Sequence, residues 1–133
     1  MADALELSVT VDDGLIETSF GDWDGYTFAE IQERWPTEMK AWLASTAVGP
    51  PGGEAFDVVD QRVAQARDRI VKTYAGQTVV AVSHVTPIKL LTRIALGAPI
   101  GIIYKMELSP ASITTVSWWP DGNASLRNFN IVP

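Results

Sequence analysis

Residues 78–82, Thr-Val-Val-Ala-Val, constrain the fold more than any other part of the chain. They do not alternate between apolar and polar residues, a pattern typical of a strand buried on both faces of a parallel sheet. Thr86-Pro87 follows as a predicted N-cap and first-turn proline, opening a helix that Gly97 ends. This strand–turn–helix unit predicts an α/β fold.

The remaining segments predict further helices and a C-terminal antiparallel hairpin. The Thr27/Glu30 capping-box pattern predicts a helix over 28–34, and Pro36 should break it and start a second helix that ends near residue 45. Apolar residues three or four apart predict a long helix over 54–74. Strands are expected at residues 7–11, 102–108, 112–119 and, returning antiparallel after a turn at 120–123, around 124–131.

Length and composition bound the class of protein. With 133 residues and 47% hydrophobic residues, the chain is expected to be one globular domain. No apolar run approaches the roughly 20 residues of a membrane-spanning helix, and the start resembles no secretory leader, so we expect a cytoplasmic protein with no membrane partner. Because there is no cysteine and one histidine, and no nucleotide-binding or calcium-loop motif, no metal or cofactor is expected.

Charge is distributed unevenly along the chain. Residues 1–60 hold thirteen acids and two bases, whereas residues 61–133 hold three acids and eight bases, and the whole chain carries a net charge of −6. This balance argues against binding of nucleic acid, which needs clustered cations. Two interpretations of the asymmetry remain open: solvated faces of different sign, or basic residues that face an anionic ligand.

His84 is the strongest candidate for a functional residue. It follows the predicted buried strand and precedes a helix, where open α/β sheets place their active sites. Val85 and Thr86 would offer main-chain N–H or hydroxyl groups to a phosphate at the helix N-terminus. The alternative is a structural histidine at a strand end. Glu17, between apolar neighbours, is a weaker candidate for a general acid, since most isolated glutamates lie on the surface.

Three short motifs in order resemble the histidine phosphatase superfamily, which has the phosphoglycerate-mutase-like fold. Residues 15–25 (LIETSFGDWDG) resemble its L-x-E-x-x-F-G-x-W-E-G segment, with Asp24 in place of glutamate. Residues 51–55 (PGGEA) resemble its P-G-G-E-S loop, and 82–84 (VSH) the strand end with its second active-site histidine. Residues 83–89 are particularly similar to α-ribazole phosphatases and to the acid phosphatase half of actinobacterial bifunctional ribonuclease H/acid phosphatases.

The resemblance implies a phosphomonoesterase that works through a covalent phosphohistidine. Glu17 would correspond to the proton donor for the leaving alcohol, and His84 to the histidine that binds the phosphoryl group and stabilises its charge. The family's nucleophile belongs to an R-H-G motif, which this chain lacks because its single histidine is already matched. We therefore expect residues 1–133 to be the C-terminal portion of a single domain, inactive when alone. The resemblance implies a three-layer sandwich around a mixed sheet. In this chain the N-terminal strands of the sheet would be missing, and the C-terminal strands would be antiparallel.

A partner is expected because a buried parallel strand needs neighbours that this chain does not obviously provide. The partner would be the N-terminal segment, a swapped element or a second copy, and the substrate a small phosphate ester. A non-catalytic phosphate-binding or assembly module is the alternative. A phosphoglycerate mutase is less favoured, because it must shield its phosphohistidine from water and nothing in the sequence indicates a lid.

Overall fold

The computed structural model describes residues 6–133 and shows an α/β arrangement. Its helices and strands are α1 Phe28–Arg34, α2 Pro36–Ala44, α3 Phe56–Thr73, α4 Val85–Leu96, β1 Ile113–Trp118 and β2 Ala124–Ile131. Short 3-10 helices span Asp13–Leu15, Gly21–Trp23 and Ile100–Lys105. No helix within the described range combines the length and hydropathy needed to cross a lipid bilayer.

The two short helices begin and end where local sequence signals predict. At the start of α1 the Thr27 hydroxyl accepts a hydrogen bond from the Glu30 N–H, and the Glu30 carboxylate accepts one from the Thr27 N–H. Pro36 occupies the first turn of α2, where its missing N–H costs no helical hydrogen bond. Both helix predictions are confirmed.

The core lies between the long helix α3 and the aromatic residues of the first half of the chain. The buried face of α3 repeats every three or four residues, as the sequence predicts, and packs against α4. Trp42 is at the centre of the aromatic contacts, with ring centroids 5.7 Å from Trp23 and 5.5 Å from Phe56. The buried apolar cluster comprises Trp23, Ile31, Met39, Trp42, Phe56, Val59, Val63, Leu90 and Ile103.

The C-terminal hairpin confirms the predicted antiparallel strands. β1 pairs with β2 in a register that sets Trp118 opposite Ala124 and Val116 opposite Leu126, with an irregularity around Thr115. Both strands pack against α4. The hairpin thereby covers the helix whose N-terminus carries His84.

Two of the predicted strands have no pairing partner within the described range. Residues 78–82 make no backbone hydrogen bond with any described residue, and Val79, Val80 and Val82 are 43%, 59% and 78% exposed. The expectation of a strand buried on both faces is therefore wrong for this chain, because a strand needs a neighbour to pair with. Residues 7–11 are likewise unpaired within the described range, and Leu7, Val9 and Val11 are exposed.

The predicted strand at 102–108 is also wrong, since the 3-10 helix Ile100–Lys105 occupies most of it. Pro99 caps this helix, and its carbonyl accepts the Ile102 N–H at 3.0 Å. Ile100, Ile103 and Met106 contact the core at a spacing of three residues, which is the period of a 3-10 helix and not the period of two that a strand requires.

Candidate functional site

His84 lies at the N-terminus of α4, as the sequence predicts, but the helix begins earlier than expected. His84 is itself the N-cap, with extended backbone, and its carbonyl accepts the Ile88 N–H at 3.2 Å. The prediction that Thr86 is the N-cap and Pro87 the first helical residue is therefore wrong. Pro87 is tolerated in the first turn because the N–H groups there have no intrahelical partner. The His84 side chain is exposed.

Glu17 lies against the same helix start. Its Oε1 accepts hydrogen bonds from the Thr86 N–H at 3.3 Å and the Thr18 N–H at 2.8 Å, while Oε2 makes only a 3.5 Å contact with the Thr86 N–H. A carboxylate is favourable there because the first N–H groups and the helix dipole attract negative charge. The structure thus brings the two predicted catalytic residues to one helix terminus.

The two residues predicted to bind phosphate differ in their surroundings. Thr86 is 8% exposed, and its N–H donates to Glu17. Val85 is 44% exposed, and its N–H has no partner among the described residues. In this structure Val85 is therefore the position whose N–H remains available to an anion.

Ser83 ties the segment before α4 to the segment around Glu17. Its hydroxyl donates to the carbonyl of Leu15 at 2.6 Å. The residues that flank both candidate catalytic groups are thus linked directly, across 68 positions of sequence. This hydrogen bond sets the distance between the two segments.

Arg62 is a central residue of the site that sequence reasoning missed. From α3 it donates to both carboxylate oxygens of Glu54, at 3.0 and 2.9 Å. It also donates to the carbonyls of Gly14, Ile16 and Glu17, at 3.1, 2.9 and 3.0 Å. Nothing in the helical pattern of α3 distinguishes Arg62 from its other arginines, since its partners lie up to 48 residues away.

The glycine-rich loop packs against the chain that follows Glu17. The Asp22 N–H donates to the Pro51 carbonyl at 2.9 Å, and the Glu54 N–H donates to the Ser19 carbonyl at 2.8 Å. The Glu54 carboxylate in turn accepts the Ser19 N–H. The Arg62 guanidinium beside it holds the pKa of Glu54 below its ordinary value. Two of the motifs singled out from the sequence therefore form one hydrogen-bonded unit.

The arrangement presents a carboxyl group and an exposed imidazole at a helix N-terminus. A carboxyl group there can hold or donate a proton, and an imidazole beside a free N–H can bind an anion. The described residues contain no cluster of three or more His, Cys, Asp or Glu side chains that could hold a metal ion. The chain's only histidine is His84, so a second histidine has to come from elsewhere if one is needed.

Comparison with known proteins gives the family and the fold. A family model described as Histidine phosphatase superfamily (branch 1) matches residues 1–131. The chain is 51% identical over 129 residues to the Bifunctional protein Rv2228c of Mycobacterium tuberculosis, covering 97% of this chain and 35% of that protein. It thus spans about a third of the length of this relative.

Solved structures share the fold. The native structure of mycobacterial glucosyl-3-phosphoglycerate phosphatase Rv2419c matches with a TM-score of 0.82 and 28% identity, over 99% of this chain and 70% of that one. The α-ribazole phosphatase of Shigella flexneri matches with a TM-score of 0.84 over 99% of this chain and 66% of that one, and at 22% identity it supports the fold alone.

Proposed function

The chain belongs to the histidine phosphatase superfamily, and from this premise we propose that it forms part of a phosphomonoester hydrolase. The observation that carries the proposal is the contact between the Glu17 carboxylate and the N-terminus of α4, directly beside the exposed His84. Its similarity to a phosphatase of known structure supports the same reaction class. The substrate is a small phosphate ester.

Each group has a distinct role in the proposed reaction. A histidine nitrogen supplied from outside this chain attacks phosphorus, the bond between phosphorus and the leaving oxygen breaks, and Glu17 protonates that oxygen. Glu17 Oε2 is suited to carry the proton because its contact with Thr86 is long. Water then attacks phosphorus and breaks the P–N bond, while the Glu17 carboxylate takes up the proton of the water.

His84 and the start of α4 would stabilise the phosphoryl group in both steps. The imidazole and the Val85 N–H can donate hydrogen bonds to phosphoryl oxygens, on which negative charge is spread in the transition state. Thr86 contributes through Glu17, because its N–H is already engaged with that carboxylate. In this scheme His84 and Val85 bind the phosphoryl group. Thr86, which the sequence also predicts to bind it, acts only through Glu17.

The partner we propose is the segment of the same domain that carries the R-H-G nucleophile, so that residues 1–133 are the C-terminal portion of one domain. The unpaired residues 78–82, with exposed valines, support the need for added strands. The solved structures, of which the chain covers 66% and 70%, leave room for such a segment. A second copy of the chain is not favoured as the partner, because it brings no nucleophile other than another His84.

The test compares the isolated chain with a completed domain, meaning this chain joined to the R-H-G-bearing segment of a family member. Hydrolysis of an aryl phosphate is measured in the presence of a metal chelator. We expect turnover by the completed domain and none by the chain alone. His84→Ala should lower kcat/KM by roughly 10²-fold or more, and Glu17→Gln should lower kcat by a similar factor, because it removes the base of the second step. Gln65→Ala, on the exposed face of α3, is the control that should change nothing.

Two results would contradict the proposal. One is robust turnover by the isolated chain that His84→Ala abolishes, because the nucleophile would then be in this chain. The other is a folded but inactive completed domain. If that inactive domain were stabilised by inorganic phosphate, the alternative of a non-catalytic phosphate-binding module would replace the enzyme.

A further inference from the structure

We infer that Arg62 is the positioning residue for Glu17, holding the proton donor through its backbone and coupling it to the glycine-rich loop. The inference rests on the proposed function. Arg62 touches no reacting atom in this scheme. Its contribution is to fix the main chain of Glu17, from which the carboxylate side chain extends.

The hydrogen bonds of Arg62 use the full donor capacity of a guanidinium group, which has five N–H donors. Nε and one Nη2 hydrogen meet the two oxygens of Glu54, a bidentate pair. The other Nη2 hydrogen meets the Glu17 carbonyl, and the two Nη1 hydrogens meet the carbonyls of Gly14 and Ile16. We call these five hydrogen bonds the Arg62 fork. A lysine has three donors on a single nitrogen and cannot reproduce this fork.

The surroundings of Arg62 make the fork rigid. Its side chain is 19% exposed and that of Glu54 is 26% exposed. It projects from the middle of α3, next to the fully buried Val63. A partly buried, bidentate pair with one partner in a helix holds its geometry better than an ion pair in solvent, so the carbonyls bound to Arg62 have a fixed reference.

Glu17 is thereby held at two ends. Arg62 holds its main-chain carbonyl, and the N–H groups of Thr18 and Thr86 hold its carboxylate. The Glu54 carboxylate that Arg62 orients also accepts the N–H of Ser19. Loss of the fork would free the backbone on both sides of the proton donor. A shift of about 1 Å in a catalytic group can cost about 10²-fold in rate.

Arg69 offers a matched comparison on the same helix. It pairs with both carboxylate oxygens of Asp12, at 2.6 and 3.3 Å, and is 54% exposed. Like Arg62 it links α3 to the segment before Glu17, yet it makes no hydrogen bond to Glu17 itself. Arg69→Lys therefore tests the effect of weakening this junction without touching the proton donor.

The test measures leaving-group dependence in the completed domain. An aryl phosphate has a good leaving group and needs little protonation, whereas an alkyl phosphate depends on the general acid. We expect Arg62→Lys and Glu17→Gln to lower kcat/KM, which reports the step in which the leaving group departs, at least about tenfold more on the alkyl ester than on the aryl ester. Arg69→Lys should affect both esters equally. The double variant Arg62→Lys/Glu17→Gln should be little worse than Glu17→Gln alone, since both act on the same step.

Equal losses on both esters in Arg62→Lys, or a double variant whose loss is the product of the single losses, would overturn the inference. An inactive wild-type completed domain would reject the proposed function and leave a second readout, the amide NMR signals of Thr18 and Thr86. These signals should shift in Arg62→Lys in the same direction as in Glu17→Gln, and stay unchanged in Arg69→Lys. Unshifted signals in Arg62→Lys would overturn the inference independently of activity.

Discussion

At the scale of single residues, Gly21 marks the closest approach between the segment after Glu17 and the glycine-rich loop. Its φ is +57°, and a Cβ there would lie 2.3 Å from the Pro51 carbonyl oxygen and 2.5 Å from Gly52 and Gly53 backbone atoms. Because these neighbours are backbone atoms, no side chain can rotate away. Glycine is the residue that this contact permits.

Gly21→Ala should lower the free energy of unfolding of the completed domain by about 3 kcal/mol, through left-handed strain plus overpacking. Gly25→Ala separates the two causes, because Gly25 has φ +86° but open space where its Cβ would lie. It should cost only about 1 kcal/mol, from strain alone. Urea denaturation measures both changes, and equal costs would show that the close packing against the loop is wrong.

The ion pair between Glu54 and Arg62 predicts a dependence of stability on pH. The Arg62 hydrogen bonds lower the pKa of Glu54 below its ordinary value of 4.5. A lowered carboxyl pKa stabilises the folded state at pH values above the unfolded-state pKa, and this stabilisation is lost as the pH falls through the folded-state pKa. The free energy of unfolding should therefore decrease below about pH 4.5.

Glu54→Gln should be less stable than the wild type at pH 7 and should lose less stability on acidification. Denaturation between pH 3 and pH 7 checks this prediction. Asp12, whose pKa is also lowered, by its hydrogen bond to Arg69, should preserve part of the acid sensitivity in the variant. If the free energy of unfolding of Glu54→Gln fell with pH as steeply as that of the wild type, the ion pair would be contradicted.

Single residues also show how far sequence reasoning reaches. His84 and Glu17 were identifiable because one follows a strand-like segment before a helix and the other lies in a recognisable motif. Their contact through Thr86 spans 69 positions and has no local signal. The role of Arg62 is hidden for the same reason, since it is defined by carbonyls of a distant segment whose course the sequence does not reveal.

At the scale of elements, α3 and α4 are joined by one ion pair between their facing sides. Arg93 donates to both oxygens of Asp60, at 2.6 to 3.1 Å, and also to the Ala98 carbonyl. The two side chains are 21% and 19% exposed. This pair connects the helix that carries Arg62 with the helix that begins beside His84.

A double-mutant cycle with Asp60→Asn and Arg93→Met should give a coupling free energy of about 1 to 2 kcal/mol, since the pair is bidentate and mostly shielded from water. The pair Arg67–Asp68, whose carboxylate is 68% exposed, is the control and should give about 0.5 kcal/mol or less. Denaturant unfolding of the completed domain measures both cycles. A coupling near zero for Asp60–Arg93 would mean that apolar packing alone fixes the two helices.

The elements divide clearly into those that local sequence determines and those that it does not. The helices α1 and α2 follow from a capping box and a proline, and α3 follows from its apolar period. The strand predicted at 78–82 does not form, because a strand needs a partner segment and residues 78–82 pair with none in the part of the chain that the structure describes. The 3-10 helix at Ile100–Lys105 was missed because apolar runs of this length fit either period until their core contacts are known.

At the scale of the whole molecule, the unpaired segments are the main departure from a self-sufficient fold. Residues 7–11 and 78–82 both leave their backbone groups without partners in the described range, and both expose valine side chains. Unpaired backbone and exposed apolar surface together favour addition of strands from another segment. Under the proposed function the site is incomplete in the same sense, because its nucleophilic histidine would come from outside this chain.

The position of the covalent phosphate shows directly which segment supplies the nucleophile. The chain and a separately produced R-H-G-bearing segment are mixed, incubated with a radioactively labelled phosphate ester, quenched in alkali, which preserves phosphohistidine, and separated under denaturing conditions. We expect label on the added segment only, and much less label when the chain carries His84→Ala. Label on this chain, or hydrolysis of the ester by this chain without the segment, would contradict this expectation.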